Sequence, residues 1–219
     1  MQIGSSMKIQ NCAYINLDHR TDKNHHINNQ LINCPYNIHR IPGVVCENFM
    51  DYAVHNYIVV GSQGHKGVIG CWLAHQKTLE HLLNVASDSE YSLILEDDVI
   101  IGPNFWLYLD ILNFPPDADL IFFDSGKDHS LDKNRCLDHN LNLYITYTSH
   151  PVFVGTHCYC IKNSSISKIL NILYNTKIYK DIDGFYFNHS NIISYNYQNG
   201  LVKINHNLRS DRLNNTGGL

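Results

Sequence analysis

Short apolar runs alternate with helix-like stretches along most of the chain. The runs are rich in leucine, β-branched and aromatic residues and are bounded by polar or turn-forming residues, which is typical of β-strands. The run that ends in SLIL is short and continuous, a pattern typical of a parallel strand covered on both faces. The predicted strands lie at 12–17, 36–44, 90–95, 118–124, 143–148, 157–162 and 200–207.

Apolar residues at helical spacing predict helices between these strands. One set predicts a helix over 72–86, and Gly67 and Gly70 ahead of it favour a flexible loop with a close backbone approach. A second set predicts an amphipathic helix over 164–175. A weaker set after the first strand predicts a helix that Pro35 ends.

Strands that alternate with helices predict an α/β fold. The length of 219 residues suits one domain, which we place at 8–208. The ends, at 1–7 and 209–219, are expected to be flexible. A polar, charge-rich stretch at 125–142 is expected to form a loop.

The composition permits a packed core and argues against one class of partner. Hydrophobic residues make up 44% of the chain, a normal globular share. The formal net charge is -4, and no clusters of lysine or arginine stand out. A protein that tracks a phosphate backbone usually carries such clusters, so no nucleic-acid partner is expected.

The cysteines and the apolar content bear on the cellular setting. Seven cysteines without a framework spacing predict reduced, mostly buried thiols. Cys158 and Cys160 make a poor zinc half-site, and strand alternation with both thiols on one face explains them better. No apolar run approaches the roughly 20 residues of a membrane helix, and the first ten residues lack signal-peptide regions. We therefore expect a soluble, cytoplasmic protein.

Three consecutive carboxylates, Glu96, Asp97 and Asp98, directly follow the predicted strand at 90–95. In open α/β sheets, ligands bind beyond the carboxyl ends of the strands. Neighbouring residues of an extended segment alternate in direction, so Glu96 and Asp98 face one way and Asp97 the other. Two converging carboxylates repel each other unless a cation lies between them, and Mg²⁺ or Mn²⁺ prefers oxygen ligands. The triplet predicts a divalent metal bridging to a phosphorylated ligand; a solvated acidic turn is the alternative.

The first half of the chain resembles glycosyltransferase family 25. That family includes bacterial lipooligosaccharide galactosyltransferases and collagen hydroxylysine galactosyltransferases. Its motifs INLxxRxD, G-C-x-x-S-H and LEDD stand here, in the same order, as INLDHRTD at 15–22, GCWLAH at 70–75 and LEDD at 95–98. The three motifs are specific jointly, although each is weak alone.

The second half resembles the family more loosely. GTHCYCIK at 155–162 is similar to a family segment that precedes a helix, and DIDGFYF at 181–187 is similar to an acidic element that contains Asp183. Two departures stand out. Ala74 replaces a serine usually found before the helix histidine, and Ile182 replaces the proline usually found before the acid.

The resemblance implies a GT-A fold, with a Rossmann-like mixed sheet flanked by helices. It also implies a UDP-sugar donor, a divalent cation (Mn²⁺, or Mg²⁺) and inversion at the sugar carbon. Galactose is the favoured hexose and glucose the second. The acceptor it implies is a hydroxyl of a glycan or of hydroxylysine. Neither the acceptor nor the oligomeric state is decided by the sequence.

Three sets of residues are candidates for the donor and metal sites. Asp98 is the strongest metal ligand and Glu96 the next, and His206 on a late strand is a candidate third ligand. Asp97 is assigned to the donor sugar or ribose, with stiffening of the turn as the alternative. The remaining donor-site candidates follow the first strand, lie in the turn after the second strand or begin the long helix: Asn16, Asp18, Arg20, Asp22, Val44 and His75.

Several of these roles have structural alternatives. Arg20 either contacts a diphosphate oxygen or forms a salt bridge with Asp22. His75 either reaches the diphosphate or braces the acidic loop. Asp183 is the best candidate for the base that deprotonates the acceptor, because the resemblance places an acid there, but it is equally well explained as a helix N-terminal residue. Asp124 is the second candidate base.

Two other functions stay open at this stage. A catalytically inactive nucleotide-sugar-binding domain would keep the fold. The intact Glu96 and Asp98 argue against it, but the departures at Ala74 and Ile182 keep it open. A metal-dependent phosphohydrolase could use the same carboxylates, but it would need a dedicated nucleophile or a two-metal cluster. No further acids or histidines stand at a recognisable spacing for such a cluster.

Overall fold

A computed structural model describes most of the chain. The residues it describes are 8–46, 65–86, 89–123, 136–138, 143–145, 155–178, 181–197 and 201–208. The proposed ends of the domain at 1–7 and 209–219, and the candidate base Asp124, lie outside these ranges.

The described residues form strands and helices that alternate along the chain. The strands are β1 (Ile9–Asn16), β2 (Asn37–Pro42), β3 (Tyr91–Glu96), β4 (Val99–Ile101), β5 (Leu120–Phe122), β6 (Cys136–Asp138), β7 (Leu143–Ile145), β8 (Cys158–Lys162), β9 (Ser194–Tyr197) and β10 (Val202–Ile204). The helices are α1 (Thr21–Gln30), α2 (His65–Val85), α3 (Phe105–Ile111), α4 (Ile166–Tyr174) and α5 (Ile182–Asn188). None of these helices combines the length and hydrophobicity that crossing a bilayer requires.

One mixed sheet organises the molecule. Its central strands run in the order β2-β1-β3-β8-β5-β9, and the β6–β7 hairpin extends the sheet beyond β9. β1 is parallel to β2 and β3, whereas β8 is antiparallel to both of its neighbours, β3 and β5. β4 and β10 form a separate antiparallel pair. The predicted fold class, a Rossmann-like mixed α/β sheet flanked by helices, is confirmed.

The two faces of the sheet are buried under different elements. α2, α4 and α5 cover one face and contribute large side chains such as Trp72 and Phe185. α1, α3 and the β4–β10 pair cover the other face, where Ile27 and Phe105 are buried. Cys158 and Cys160 lie in this second core and Tyr159 in the first, so both thiols share one face as predicted. Neither forms a disulfide.

The long helix α2 begins earlier than its apolar pattern predicts. Gly67 and Gly70, expected in a loop ahead of the helix, lie inside it. A Cβ atom on Gly70 would lie 2.4 Å from the carbonyl oxygen of Val44, which is closer than a real side chain tolerates. The predicted close backbone approach is therefore present, and it fixes the turn after β2 against the helix.

Some elements differ from the prediction. β3 was expected to have parallel neighbours, but β8 beside it is antiparallel. α3, α5 and β9 were not predicted, because they are only four to seven residues long and carry little periodic pattern. β6 lies within the stretch at 125–142 that was expected to be a loop.

Candidate metal centre and adjoining cleft

The acidic triplet lies where three strands come together. β1 ends at Asn16 and β3 ends at Glu96, and because these strands are parallel their carboxyl ends meet at one edge. β8 runs in the opposite direction, so its amino end meets the same edge. The backbone N–H of Glu96 accordingly donates a hydrogen bond to the carbonyl oxygen of His157, at 2.8 Å. Residues far apart in sequence therefore share this edge.

Glu96 and Asp98 converge on His157. His157 Nδ1 lies 3.3 Å from Glu96 Oε2 and 3.4 Å from Asp98 Oδ1. One ligand atom from each of the three residues falls within 4.8 Å of the others. Sequence analysis missed His157 as a ligand. It opens the predicted strand at 157–162 and lies in the segment GTHCYCIK, but neither position distinguishes it among the 14 histidines in the chain.

Asp97 faces away from this group, as strand alternation predicts. Its carboxylate accepts a hydrogen bond from the Asn16 side chain at 2.8 Å and pairs with Lys23 at 3.2 Å. Lys23 also lies 3.2 Å from Asp98 Oδ2 and is almost fully buried. Lys23 was not predicted either, since a single lysine at the start of a helix gives no local signal. It links the two sides of the triplet.

The charges in the group compensate one another in the absence of a cation. Burial opposes ionisation of Glu96, but the positive charge of His157 outweighs it and holds the pKa of Glu96 well below its usual range. Burial likewise opposes protonation of His157, and the charge of Glu96 outweighs it and raises the pKa of His157. Burial raises the pKa of Asp97 to about 6 despite the nearby Lys23.

The three converging residues fit a divalent cation. Asp98 Oδ1 and His157 Nδ1 are buried and, among the residues that the structure describes, have no hydrogen-bond partner. Their contacts are ionic and not hydrogen-bonded, and a cation between them would supply coordination in place of the missing hydrogen bonds. Carboxylate oxygens and an imidazole nitrogen are donors that divalent metals accept in proteins. The predicted ligands Glu96 and Asp98 are therefore joined by His157.

A cleft of about 240 Å³ opens beside the acidic triplet. It is bounded by the end of β1, the turn after β2, the first turns of α2 and the triplet itself. Six of the predicted site residues line it: Asn16, Val44, His75, Glu96, Asp97 and Asp98.

His75 is fully buried at the back of the cleft. Its Nδ1 lies 2.9 Å from the hydroxyl oxygen of Tyr159, and its Nε2 lies 3.3 Å from Glu96 Oε1. Thr156 donates a hydrogen bond to the same carboxylate oxygen, at 2.6 Å. Burial opposes protonation of His75, but hydrogen bonds with Cys71 and Glu96 raise its pKa to about 9. Of the two predicted roles, these contacts favour bracing of the acidic group.

Three of the predicted donor-site residues do not line this cleft. Asp18 is exposed and pairs with Arg40 at 2.6 Å. Arg20 pairs with Asp22 through two hydrogen bonds at 2.8 and 2.9 Å. These bonds lower the pKa of Asp22 below its usual range, with Arg20 as the main cause. The salt bridge that sequence analysis gave as the alternative for Arg20 is therefore present.

The remaining candidates, His206 and Asp183, lie outside the group of possible metal ligands. His206 is exposed and follows β10, and its neighbour Asn205 donates a backbone hydrogen bond to the carbonyl oxygen of Asp98 at 2.7 Å. Among the described residues, it is His157 and not His206 that lies in the ligand group. Asp183 lies in the first turn of α5, where its carboxylate accepts the N–H of Gly184 at 2.7 Å, and it does not line the cleft. Asp183 and Asp124 stay predictions.

The fold is a mixed α/β sheet flanked by helices, with an acidic group at one edge of the sheet. Residues 10–184 match the family model of glycosyltransferase family 25 (LPS biosynthesis protein). The match covers well over half of the chain, and the protein belongs to glycosyltransferase family 25.

Comparison with solved structures and curated sequences adds little beyond this. One solved structure that the chain resembles is a glycosyltransferase involved in the glycosylation of the major capsid of PBCV-1. The two share 12% sequence identity with a TM-score of 0.38, over 75% of this chain and 64% of the other. This chain therefore spans less than two thirds of the length of that protein. No curated protein sequence matches the chain.

Proposed function

We propose that the protein transfers a hexose from a UDP-sugar to a hydroxyl of a glycan or hydroxylysine acceptor, in a metal-dependent reaction that inverts the sugar carbon. Galactose is the favoured hexose and glucose the second. The observation that carries the proposal is the convergence of Glu96, Asp98 and His157 beside the cleft. Family membership supports sugar transfer, and the acidic group supports dependence on Mn²⁺ or Mg²⁺.

Glu96, Asp98 and His157 would hold the cation. When bound, a divalent cation supplies the positive charge that stabilises a departing diphosphate. Other residues of the site position the carboxylates of Asp97 and Glu96. Lys23 and Asn16 fix the carboxylate of Asp97 at the edge of the cleft, where it can accept hydrogen bonds from hydroxyls of the donor. His75 and Thr156 fix the orientation of Glu96.

The nucleotide is assigned to the side of the cleft formed by β1 and the turn after β2. Val44 and its neighbours present backbone groups there, and the contact with Gly70 holds that turn in place. The acceptor would approach from the opposite side of the donor sugar, because inversion requires attack on the face away from the leaving group. Asp183 and Asp124 are the proposed bases for that step.

The test is donor binding with and without Mn²⁺. Thermal unfolding is followed in the presence of UDP, UDP-galactose, UDP-glucose, UDP-N-acetylglucosamine and GDP-mannose. A ligand that binds only the folded protein raises its melting temperature. At 100 times its Kd, such a ligand adds about 2.7 kcal/mol to the free energy of unfolding. We expect a rise with UDP-sugars that depends on Mn²⁺ and is lost in Asp98→Asn. A rise that is independent of Mn²⁺, or no rise with any nucleotide, contradicts the proposal.

The matched control is Asp18→Asn. Asp18 is an exposed aspartate that does not line the cleft, and its variant removes the same charge from a different place. We expect it to keep the Mn²⁺-dependent rise. Loss of the rise in both variants would mean that net charge, and not the site, governs binding.

One observation favours a second candidate function, that of an inactive nucleotide-sugar-binding domain. Asp183, the only candidate base among the described residues, does not line the cleft. Hydrolysis of the UDP-sugar to free sugar and UDP, measured with Mn²⁺ and without added acceptor, separates the two functions. A transferase releases sugar slowly to water, whereas an inactive domain binds the donor and releases none.

A further inference from the structure

We propose that Cys71, His75 and Glu96 form a second cation site, selective for Zn²⁺, next to the acidic group. A sulfur, a ring nitrogen and a carboxylate oxygen from these residues lie within 4.8 Å of one another. All three side chains line the cleft. The proposal concerns cation binding alone and holds whether or not the protein transfers a sugar.

The helix places two of the ligands together. Cys71 and His75 are four residues apart on α2, so their side chains lie on the same face, one turn apart. A ligand atom of each lies within 4.8 Å of the other, which shows that the two side chains meet. Cys71 is half-buried and His75 is fully buried. The site is therefore enclosed by protein at its back and open to the cleft at Cys71.

Supporting contacts orient His75 for this role. Its Nδ1 is engaged by the hydroxyl of Tyr159 at 2.9 Å, which turns Nε2 toward Glu96. In metal sites, the second ring nitrogen of a ligating histidine is usually held in this way by a polar partner. Tyr159 is itself fully buried, so this partner is fixed in position.

The two oxygens of Glu96 face different groups. Oε1 lies 3.3 Å from His75, and Oε2 lies 3.3 Å from His157. The carboxylate can therefore contribute one oxygen to each site and bridge two cations. The sites differ in their other ligands, since one offers the thiol of Cys71 and the other the carboxylate of Asp98.

That difference sets the selectivity. A thiolate is a soft ligand that Zn²⁺ accepts readily, whereas Mn²⁺ and Mg²⁺ favour oxygen. Cation binding converts the thiol of Cys71 to a thiolate and needs a neutral imidazole at His75, so both side chains release protons to solvent. Three protein ligands leave the fourth position of a tetrahedral zinc ion open toward the cleft.

Co²⁺ is the probe, because a cobalt ion bound by a thiolate gains a strong near-ultraviolet charge-transfer absorption. We expect the wild-type protein to show this absorption on addition of Co²⁺, Zn²⁺ to abolish it by competition, and Mn²⁺ to leave it in place. Cys71→Ser should lose the absorption and weaken Zn²⁺ binding in calorimetry by more than the roughly 10–100-fold that loss of a supporting partner costs.

Two matched variants test the assignment of the ligands. Cys46→Ser removes a different thiol that also lines the cleft, and Asp98→Asn disables the neighbouring group without removing a ligand of this one. Both should keep the cobalt absorption. Absorption that survives in Cys71→Ser, or that disappears in Cys46→Ser, overturns the proposal.

A measurement on the unaltered protein covers the case in which Cys71→Ser fails to fold. Iodoacetamide labelling of Cys71 is followed by mass spectrometry of its peptide. Zn²⁺ should slow labelling of Cys71, and Mn²⁺ should not. Equal labelling with and without Zn²⁺ overturns the proposal. No sugar nucleotide is present, so the result is independent of the proposed transferase function.

Discussion

His157 Nδ1 lies 3.4 Å from Asp98 Oδ1, and the two atoms are buried together at the edge of the sheet. One residue precedes β8 and the other follows β3, so this contact depends on the antiparallel pairing of those strands. It gives the acidic triplet a nitrogen donor and a positive charge. The predictions that follow test this arrangement and its supports.

Removal of the histidine should weaken cation binding. In His157→Ala, Glu96 and Asp98 lose the group on which they converge, and we expect Mn²⁺ affinity to fall by at least about tenfold. Calorimetric titration of the purified protein with Mn²⁺ measures the change. His25→Ala, at an exposed position of α1, serves as the control. An unchanged affinity in His157→Ala, together with a loss in His206→Ala, would restore the sequence-based assignment of His206.

The buried lysine should be needed for stability. Lys23→Met leaves Asp97 and Asp98 without the lysine ammonium group that contacts both. Removing one partner of a buried ion pair costs about 3–5 kcal/mol. The free energy of unfolding, measured with urea in the absence of metal, should fall by about that amount. Asp18→Asn breaks a pair whose aspartate is exposed and should cost less than about 1 kcal/mol. Equal costs for the two variants would contradict the burial argument.

A third prediction concerns pH and a carboxylate far from the cleft. Burial opposes ionisation of Asp119, but bonds from the Ile193 N–H, Lys168 and Ser165 outweigh it and hold its pKa below the usual value near 3.8. The folded state therefore favours the ionised form, and this stabilisation is complete above pH 3.8. It is lost as the pH falls through the lower pKa of the folded protein.

The variant Asp119→Asn removes that dependence. Urea unfolding at pH 7, pH 4 and pH 3 should show a loss of stability toward low pH that is smaller in the variant than in the wild type. At pH 7 the variant should be less stable by about 1–3 kcal/mol, because donors that faced a charge now meet a neutral amide. Parallel pH profiles for the two proteins would contradict the assignment.

For Gly70 in α2, packing and helix propensity predict changes in stability of opposite sign. Gly70→Ala places a Cβ atom 2.4 Å from the carbonyl oxygen of Val44, and overpacking of this kind costs about 1–3 kcal/mol. Helix propensity alone predicts the opposite, a gain of about 1 kcal/mol. Thermal unfolding should show a lower melting temperature, and donor binding should weaken because the turn after β2 is displaced. A higher melting temperature would show that the turn yields without cost.

Local patterns predicted much of the fold. The strands around Leu93 and Ile121 and the helix around Ile169 form from sequence-adjacent apolar residues, and their patterns predicted them correctly. β9 has the sequence SYNY, and its burial comes from its position between β5 and β7, so no local pattern marks it. The direction of β8 was equally unpredictable, because strand pairing depends on the rest of the sheet.

The site residues also divide into those that a local pattern predicted and those that only the fold brings together. Glu96, Asp97 and Asp98 are consecutive, and their alternation predicted which of them converge. His157 and Lys23 reach the triplet from other elements, and although His157 lies in the family-like segment GTHCYCIK, no local pattern indicates that either side chain meets the triplet. Asn16 was predicted from its place at the end of the first strand, and it lies against Asp97.

The direction of β8 has a consequence for how such a protein can diverge. The strand enters the sheet beside the acidic triplet and runs away from it into the buried core, so the residues that meet Glu96 and Asp98 precede the residues that hold the sheet together. Thr156 and His157 can change during evolution while Cys158 to Ile161 stay constrained by packing. A substitution at His157 would therefore change the group that faces Glu96 and Asp98 and leave the buried strand behind it in place.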